Sequence, residues 1–113
     1  MSNEKTEIAD GTLLVRTERG GNTDVIALCG ELDLANASTA EAALQGSLEA
    51  GRSVIVDMRE LEFIDSTGIA MLVASLNGNA EESRIRFIPS SVPAVSRVLE
   101  LTGLAERMPL ADA

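Results

Sequence analysis

VIALCGELDLANASTAEAALQGSLEAGRSVIVD, residues 25–57, holds two apolar runs separated by a single helical pattern. The runs Val25-Ile26-Ala27-Leu28-Cys29 and Ser53-Val54-Ile55-Val56-Asp57 are short and nearly continuous in apolar character. That suits strands covered on both faces better than half-exposed ones. Between them Ala37, Ala40, Leu44 and Leu48 recur at helical spacing. Asn36 or Ser38 can cap that helix, Ser38 with Glu41 makes a possible capping box, and Gly51 is placed for a C-terminal stop. Strand, helix and strand form a βαβ unit with a right-handed crossover, so the fold class is α/β.

Upstream, residues 1–10 are polar and read as a mobile tail, which leaves 11–113 as the domain. Thr12 to Thr17 predicts a strand, and Glu18 to Asp24, with Gly20-Gly21-Asn22, predicts a longish hairpin loop. Downstream, a loop over Met58 to Ile64 leads into a second helix from Asp65-Ser66 to Asn77-Gly78-Asn79. Its body, Ile69 to Ala74, has almost no polar face, so it is buried or lends one face to a partner. Arg84 to Ile88 alternates as an edge strand does, with the two arginines keeping the edge soluble. Ser91 can cap a third helix with Pro93 in its first turn, an apolar face of Val95, Val98, Leu99 and Leu101, and a stop at Gly103. The expected order is ββαβαβα, a small mixed sheet with helices packed on it.

The 113 residues suit one domain, and at 45% hydrophobic the chain is not a disordered acidic tail. Nine basic residues against 18 acidic ones give a net charge of −9. With no basic stripe and 2% aromatics, nucleic acid is not an expected partner. No His is present, the only lysine is Lys5, and the only cysteine, Cys29, reads as a small packed hydrophobe. A His-bearing triad, an ordinary zinc site, a P-loop and a Schiff-base lysine all lack their parts, so neither enzyme activity nor a metal or cofactor is expected. MSNEKTEIAD has no apolar core of the secretory kind, and no stretch approaches the ~20 apolar residues of a membrane span. The expected location is the cytoplasm, with no membrane partner.

One segment carries a chemical message: Leu61-Glu62-Phe63-Ile64-Asp65-Ser66-Thr67-Gly68-Ile69. It brings the chain from a loop into a helix whose first turn holds Ser66, Thr67 and Gly68. A helix N-terminus has free amides and partial positive charge, so a phosphate on Ser66 would be favourably placed. The same residues also make an ordinary cap, with Asp65 or Ser66 accepting from first-turn amides. Gly68 is not needed for capping and costs about 1 kcal/mol relative to Ala, which points to a close approach, read here as one by another backbone.

Three stretches resemble the STAS domain, the module of sulfate transporters and anti-sigma factor antagonists. They are Val54-Ile55-Val56-Asp57 through Asp65-Ser66-Thr67-Gly68-Ile69, Gly30-Glu31-Leu32-Asp33, and Leu101-Thr102-Gly103-Leu104, in family order from about Leu13 to Leu104. The resemblance implies a stand-alone anti-sigma factor antagonist. Its partners would be an anti-sigma factor serine kinase, which brings Mg-ATP, and a serine phosphatase. Ser66 would be the phosphate acceptor; Asp33, Asp65, Ser66, Thr67, Gly68 and Ile69 would meet the partner. Asp33 would lie beside Ser66 across the loops, either orienting the serine or capping a helix, and the same choice applies to Asp65. Thr67 is a second hydroxyl whose simpler job is hydrogen bonding within the turn, while Ile69, Met71 and Leu72 read first as core.

The alternatives differ in class. A STAS module can be a non-enzymatic subunit or scaffold of a transport or stress-sensing complex, without phosphorylation. An aspartic protease would need Asp where Ser66 stands, and a receiver domain phosphorylated on Asp57 would need a lysine in the body.

Overall fold

The computed structural model describes residues 4–77 and 84–111. Its elements are β1 (Glu4–Asp10), β2 (Leu13–Gly20), β3 (Thr23–Leu32), α1 (Ala37–Glu49), β4 (Ser53–Asp57), β5 (Leu61–Ile64), α2 (Ser66–Asn77), β6 (Ile85–Ile88), α3 (Pro93–Leu101) and α4 (Leu104–Arg107). The sheet runs β1-β2-β3-β4-β6, with β5 also paired to β3. β1, β2 and β3 pair antiparallel, while β4 and β5 on β3, and β6 on β4, are parallel. The mixed α/β sheet is as expected; the element order is richer by two strands and a helix.

Residues 4–10 are not a tail. They form β1, paired with β2 over its whole length. A polar, exposed segment can be a strand when a neighbour's ladder satisfies its backbone hydrogen bonds, and nothing in its composition advertises that. The hairpin between β2 and β3 is tighter than expected, since Gly20 pairs with Thr23 and only Gly21-Asn22 turns the chain, with Gly21 at φ +56°. The expected loop over 58–64 contains β5. Gly30 pairs with Leu13 on one side and Leu61 on the other, so β5 prolongs the line of β4 beside β3. At Gly30 the register shifts and φ is +103°; a Cβ there would stand 2.1 Å from the Thr12 carbonyl oxygen, so only glycine fits.

One face of the sheet is sealed. Leu13, Val15, Ile26, Leu28, Val54, Val56, Ile85 and Phe87 are buried against Ala40, Leu44 and Leu48 of α1, Leu72 and Leu76 of α2, and Val95 and Leu99 of α3. The other face, with Leu14, Arg16, Val25, Cys29 and Ile55, is half-buried. The apolar runs in β3 and β4 therefore alternate between a covered and an open face instead of being covered on both. Cys29 sits half-buried on the open face, where burial pushes its thiol pKa up and Glu60 adds to the shift.

The helix ends depart from simple capping. α1 starts at Ala37 with Asn36 in the cap position, but the Asn36 side chain makes no cap bond and turns back to the loop before it. Ser38 lies inside the helix, so the Ser38–Glu41 box does not form the entry. α2 is described to Asn77; the expected stop at Gly78-Asn79 lies outside the described residues. α3 has Val92 as its cap and Pro93 in its first turn, and Ser90, not Ser91, accepts the Val92 amide. Leu101, expected on the apolar face, is 79% exposed. Arg84 does more than solubilise an edge, because it donates to the Leu48 carbonyl in the last turn of α1 and to the Arg52 carbonyl just before β4.

Candidate functional site

The C-terminal ends of β3 and β5 deliver two loops to the starts of α1 and α2, and Asp65 joins them. Its amide donates to the Leu32 carbonyl (3.1 Å). One carboxylate oxygen, Oδ1, accepts from the amides of Thr67 (2.9 Å) and Gly68 (3.0 Å), capping α2. The other, Oδ2, accepts from the Leu34 amide (3.1 Å), 31 residues away in the chain. A single side chain thus caps one helix and anchors the loop that starts the other, so capping and positioning are one arrangement.

Asp33 builds its loop locally. Its Oδ1 accepts the Ala35 amide (3.0 Å), its carbonyl accepts the Asn36 and Ala37 amides, and its own amide donates to Asn36 Oδ1 (2.9 Å). Asn36 Nδ2 closes the loop on the Glu31 carbonyl (3.0 Å). The carboxylate of Asp33 is therefore a turn former, and the Leu34–Asp65 bond is what brings its loop to the start of α2.

Ser66 is the first residue of α2 and is exposed. Among the described residues its hydroxyl makes no hydrogen bond, and no Lys or Arg is bonded to Ser66, Asp65 or Asp33. The favourable seat expected for a phosphate is altered by Asp65, which already occupies the Thr67 and Gly68 amides. The Thr67 amide, and among the described residues not its hydroxyl, bonds in the turn, and Thr67 lines a groove of about 410 Å³ between α1 and α2, together with Leu34, Ala37, Ala70, Met71 and Ala74. Ile69 is half-buried against the core, while Met71 and Leu72 are buried, as core residues.

Gly68 is buried, and the close approach is by side chains and not by another backbone. A Cβ would stand 2.8 Å from Ile64 Cγ1 and 2.9 Å from Leu32 Cγ. Gly68→Ala is expected to destabilise the fold by about 1–2 kcal/mol, the overpacking exceeding the gain in helix propensity. A denaturant midpoint unchanged from the parent would show that Leu32 and Ile64 give way freely.

Two apolar residues near these loops escaped the sequence reading. Leu34 is 77% exposed beside the clasp and Phe63 is 44% exposed on β5, two residues before Asp65. The available signal was an apolar residue inside the polar Asp33–Asn36 loop, out of phase with the helix that follows.

The site holds an exposed hydroxyl and two carboxylates engaged with backbone amides. Among the described residues no group of three or more Cys, Asp or Glu could hold a metal. No described helix is long and apolar enough to cross a membrane.

A family model described as "Mlab, STAS domain" matches residues 15–111. An anti-sigma factor antagonist from Mycobacterium paratuberculosis is similar in structure, with a TM-score of 0.76 at 23% identity over 97% of this chain and 87% of that one. The anti-sigma factor antagonist SpoIIAA in its unphosphorylated form gives a TM-score of 0.70 at 24% identity, over 87% of this chain and 88% of that one. The phosphorylated form of SpoIIAA, a Bacillus cell fate determinant, gives 0.63 at 24% identity, over 87% and 91%. These likenesses establish the fold.

Proposed function

The chain belongs to the STAS domain family, and we propose that it acts as an anti-sigma factor antagonist, without enzymatic activity of its own. In this reading the unphosphorylated protein binds an anti-sigma factor kinase in the cytoplasm and so releases the sigma factor. The kinase brings Mg-ATP and transfers phosphate to Ser66, which ends the interaction, and a serine phosphatase resets the protein.

The observation that carries the reading is the Ser66 hydroxyl: exposed, without a hydrogen bond among the described residues, and presented at the head of α2 by the Asp65 clasp. A kinase substrate needs an accessible hydroxyl on a positioned backbone, and it does not need its own base. The fold likeness to SpoIIAA, a protein seen with and without phosphate, supports the same reading. The partner surface would comprise Asp33, Asp65, Ser66, Thr67 and Ile69, with Gly68 acting through packing.

Incubation with the cognate kinase and Mg-ATP is expected to add one phosphate, read by intact mass, and Ser66→Ala is expected to abolish it. Phosphate at another residue would overturn the assignment of Ser66. A stable kinase complex that never transfers phosphate would point instead to a scaffold role.

A further inference from the structure

The two edges of the sheet are treated differently. Outside β6, the C-terminal segment takes the edge: the Phe87 amide donates to the Pro109 carbonyl (2.8 Å) and the Ala111 amide to the Phe87 carbonyl (2.9 Å). Outside β1 no strand is paired among the described residues. β1 offers seven residues in unbroken register with β2, with no bulge and no proline, and six of the seven are exposed. Ile8 on this strand is 52% exposed. A long regular edge of this kind is a template for another strand unless its charges forbid pairing.

The charges of β1 can be tested register by register. Side chains alternate, so Lys5 and Glu7 share one face while Glu4, Thr6 and Ile8 share the other. A two-fold axis through Glu7 would oppose Glu7 to Glu7 and Glu4 to Asp10 twice, all like charges. An axis through Lys5 would oppose the two lysines. An axis through Ile8 forms no charge pair. An axis through Thr6 opposes Lys5 to Glu7 twice, Thr6 to Thr6, and Glu4 to Ile8 twice. Like charges directly opposite destabilise a ladder, and opposite charges support it.

We propose that β1 pairs antiparallel with β1 of a second copy of this chain about a two-fold axis through Thr6, making one continuous sheet. The surface uses neither Ser66 nor Asp65, so it is independent of the phosphorylation reading. An edge of this length buries little area, and the dimer is weak and concentration-dependent.

Sedimentation velocity from the micromolar to the millimolar range is expected to show a monomer–dimer equilibrium. Lys5→Glu, which turns both charge pairs repulsive, is expected to weaken it about tenfold. In a Cys29→Ser background, Thr6→Cys is expected to form an intermolecular disulfide on mild oxidation, because the two Cα atoms would lie about 4.5–5.5 Å apart. Ile8→Cys is expected to cross-link more slowly. A monomer at every concentration, an equilibrium unmoved by Lys5→Glu, or faster cross-linking through Ile8→Cys would each overturn the proposal.

Discussion

If the chain is the kinase-binding antagonist proposed above, Ser66→Asp is expected to weaken that binding about a hundredfold while leaving the unfolding midpoint where it was; like-charge juxtaposition in an interface costs several kcal/mol. Neutralisation within the chain is not on offer. The neighbouring Asp65 is itself a carboxylate, it already occupies the Thr67 and Gly68 amides, and no described Lys or Arg is bonded to either residue. The added charge must therefore be met by the partner, while an exposed first-turn position leaves the core untouched. Calorimetric titration of parent and variant, with denaturation of both, measures the two halves of this expectation. Equal affinities would sink charge repulsion as the switch.

Asp24→Ala is expected to cost about 3 kcal/mol of stability, reduced from the full value for a broken buried pair because its arginine partners reach solvent. The carboxylate has no exposed surface. It accepts from Ser47 Oγ of α1 (2.6 Å), from Arg52 Nε before β4 (2.7 Å) and from Arg19 Nε of β2 (3.3 Å). Arg52 also donates to the Gly21 carbonyl (3.0 Å), so one cluster ties the β2–β3 hairpin to the end of α1. Loss of the carboxylate takes the acceptor from the Ser47 hydroxyl and from Arg52 Nε where α1, the β2–β3 hairpin and the start of β4 meet. For a domain of this size the melting temperature should fall by roughly 10–20 °C.

The pH dependence of that cluster has a defined sign. Burial pushes the Asp24 carboxyl up, but the Ser47 hydroxyl, then Arg52 and Arg19, outweigh it and hold the pKa below its ordinary value. A pKa lower in the folded chain than in the unfolded one contributes stability that is complete above the unfolded value of about 3.9 and is lost as pH falls through the folded one. The stability difference between parent and Asp24→Asn should therefore shrink below about pH 4. A difference that stays constant through that range would show that the charge of Asp24 is not what stabilises the junction.

How much of this was legible depends on the range of the interaction. The apolar runs of β3 and β4, the pattern of α1 and the unusual body of α2 are periodic within a few residues, and each was read correctly as an element. Asp65-Ser66-Thr67-Gly68 was legible as a helix start for the same reason. β1 is not legible because five of its seven residues are polar and its support comes from afar in the chain: the β2 ladder, Arg16 on Glu7 and Thr39 on Asp10. Asp24 lies in the predicted hairpin loop, although Ser47 falls in phase with Leu44 and Leu48, and Arg52 follows the Gly51 stop; only in the fold do those positions converge on the carboxylate. The apolar runs were assigned two covered faces, but period alone does not tell which face a helix will cover.

By itself the sequence determined the fold class, the helix that carries Ser66, and the absence of the His and body Lys that most catalytic sites require, since these rest on residue identity and short-range period. Only the tertiary structure decided that Asp65 clasps the Leu34 loop, that Gly68 is held by Leu32 and Ile64, that Asp24 is buried among its donors, and that one sheet edge is covered while the other carries no further strand among the described residues. Each of these is a contact between segments far apart in the chain, and its energy exists only once the sheet has brought them together.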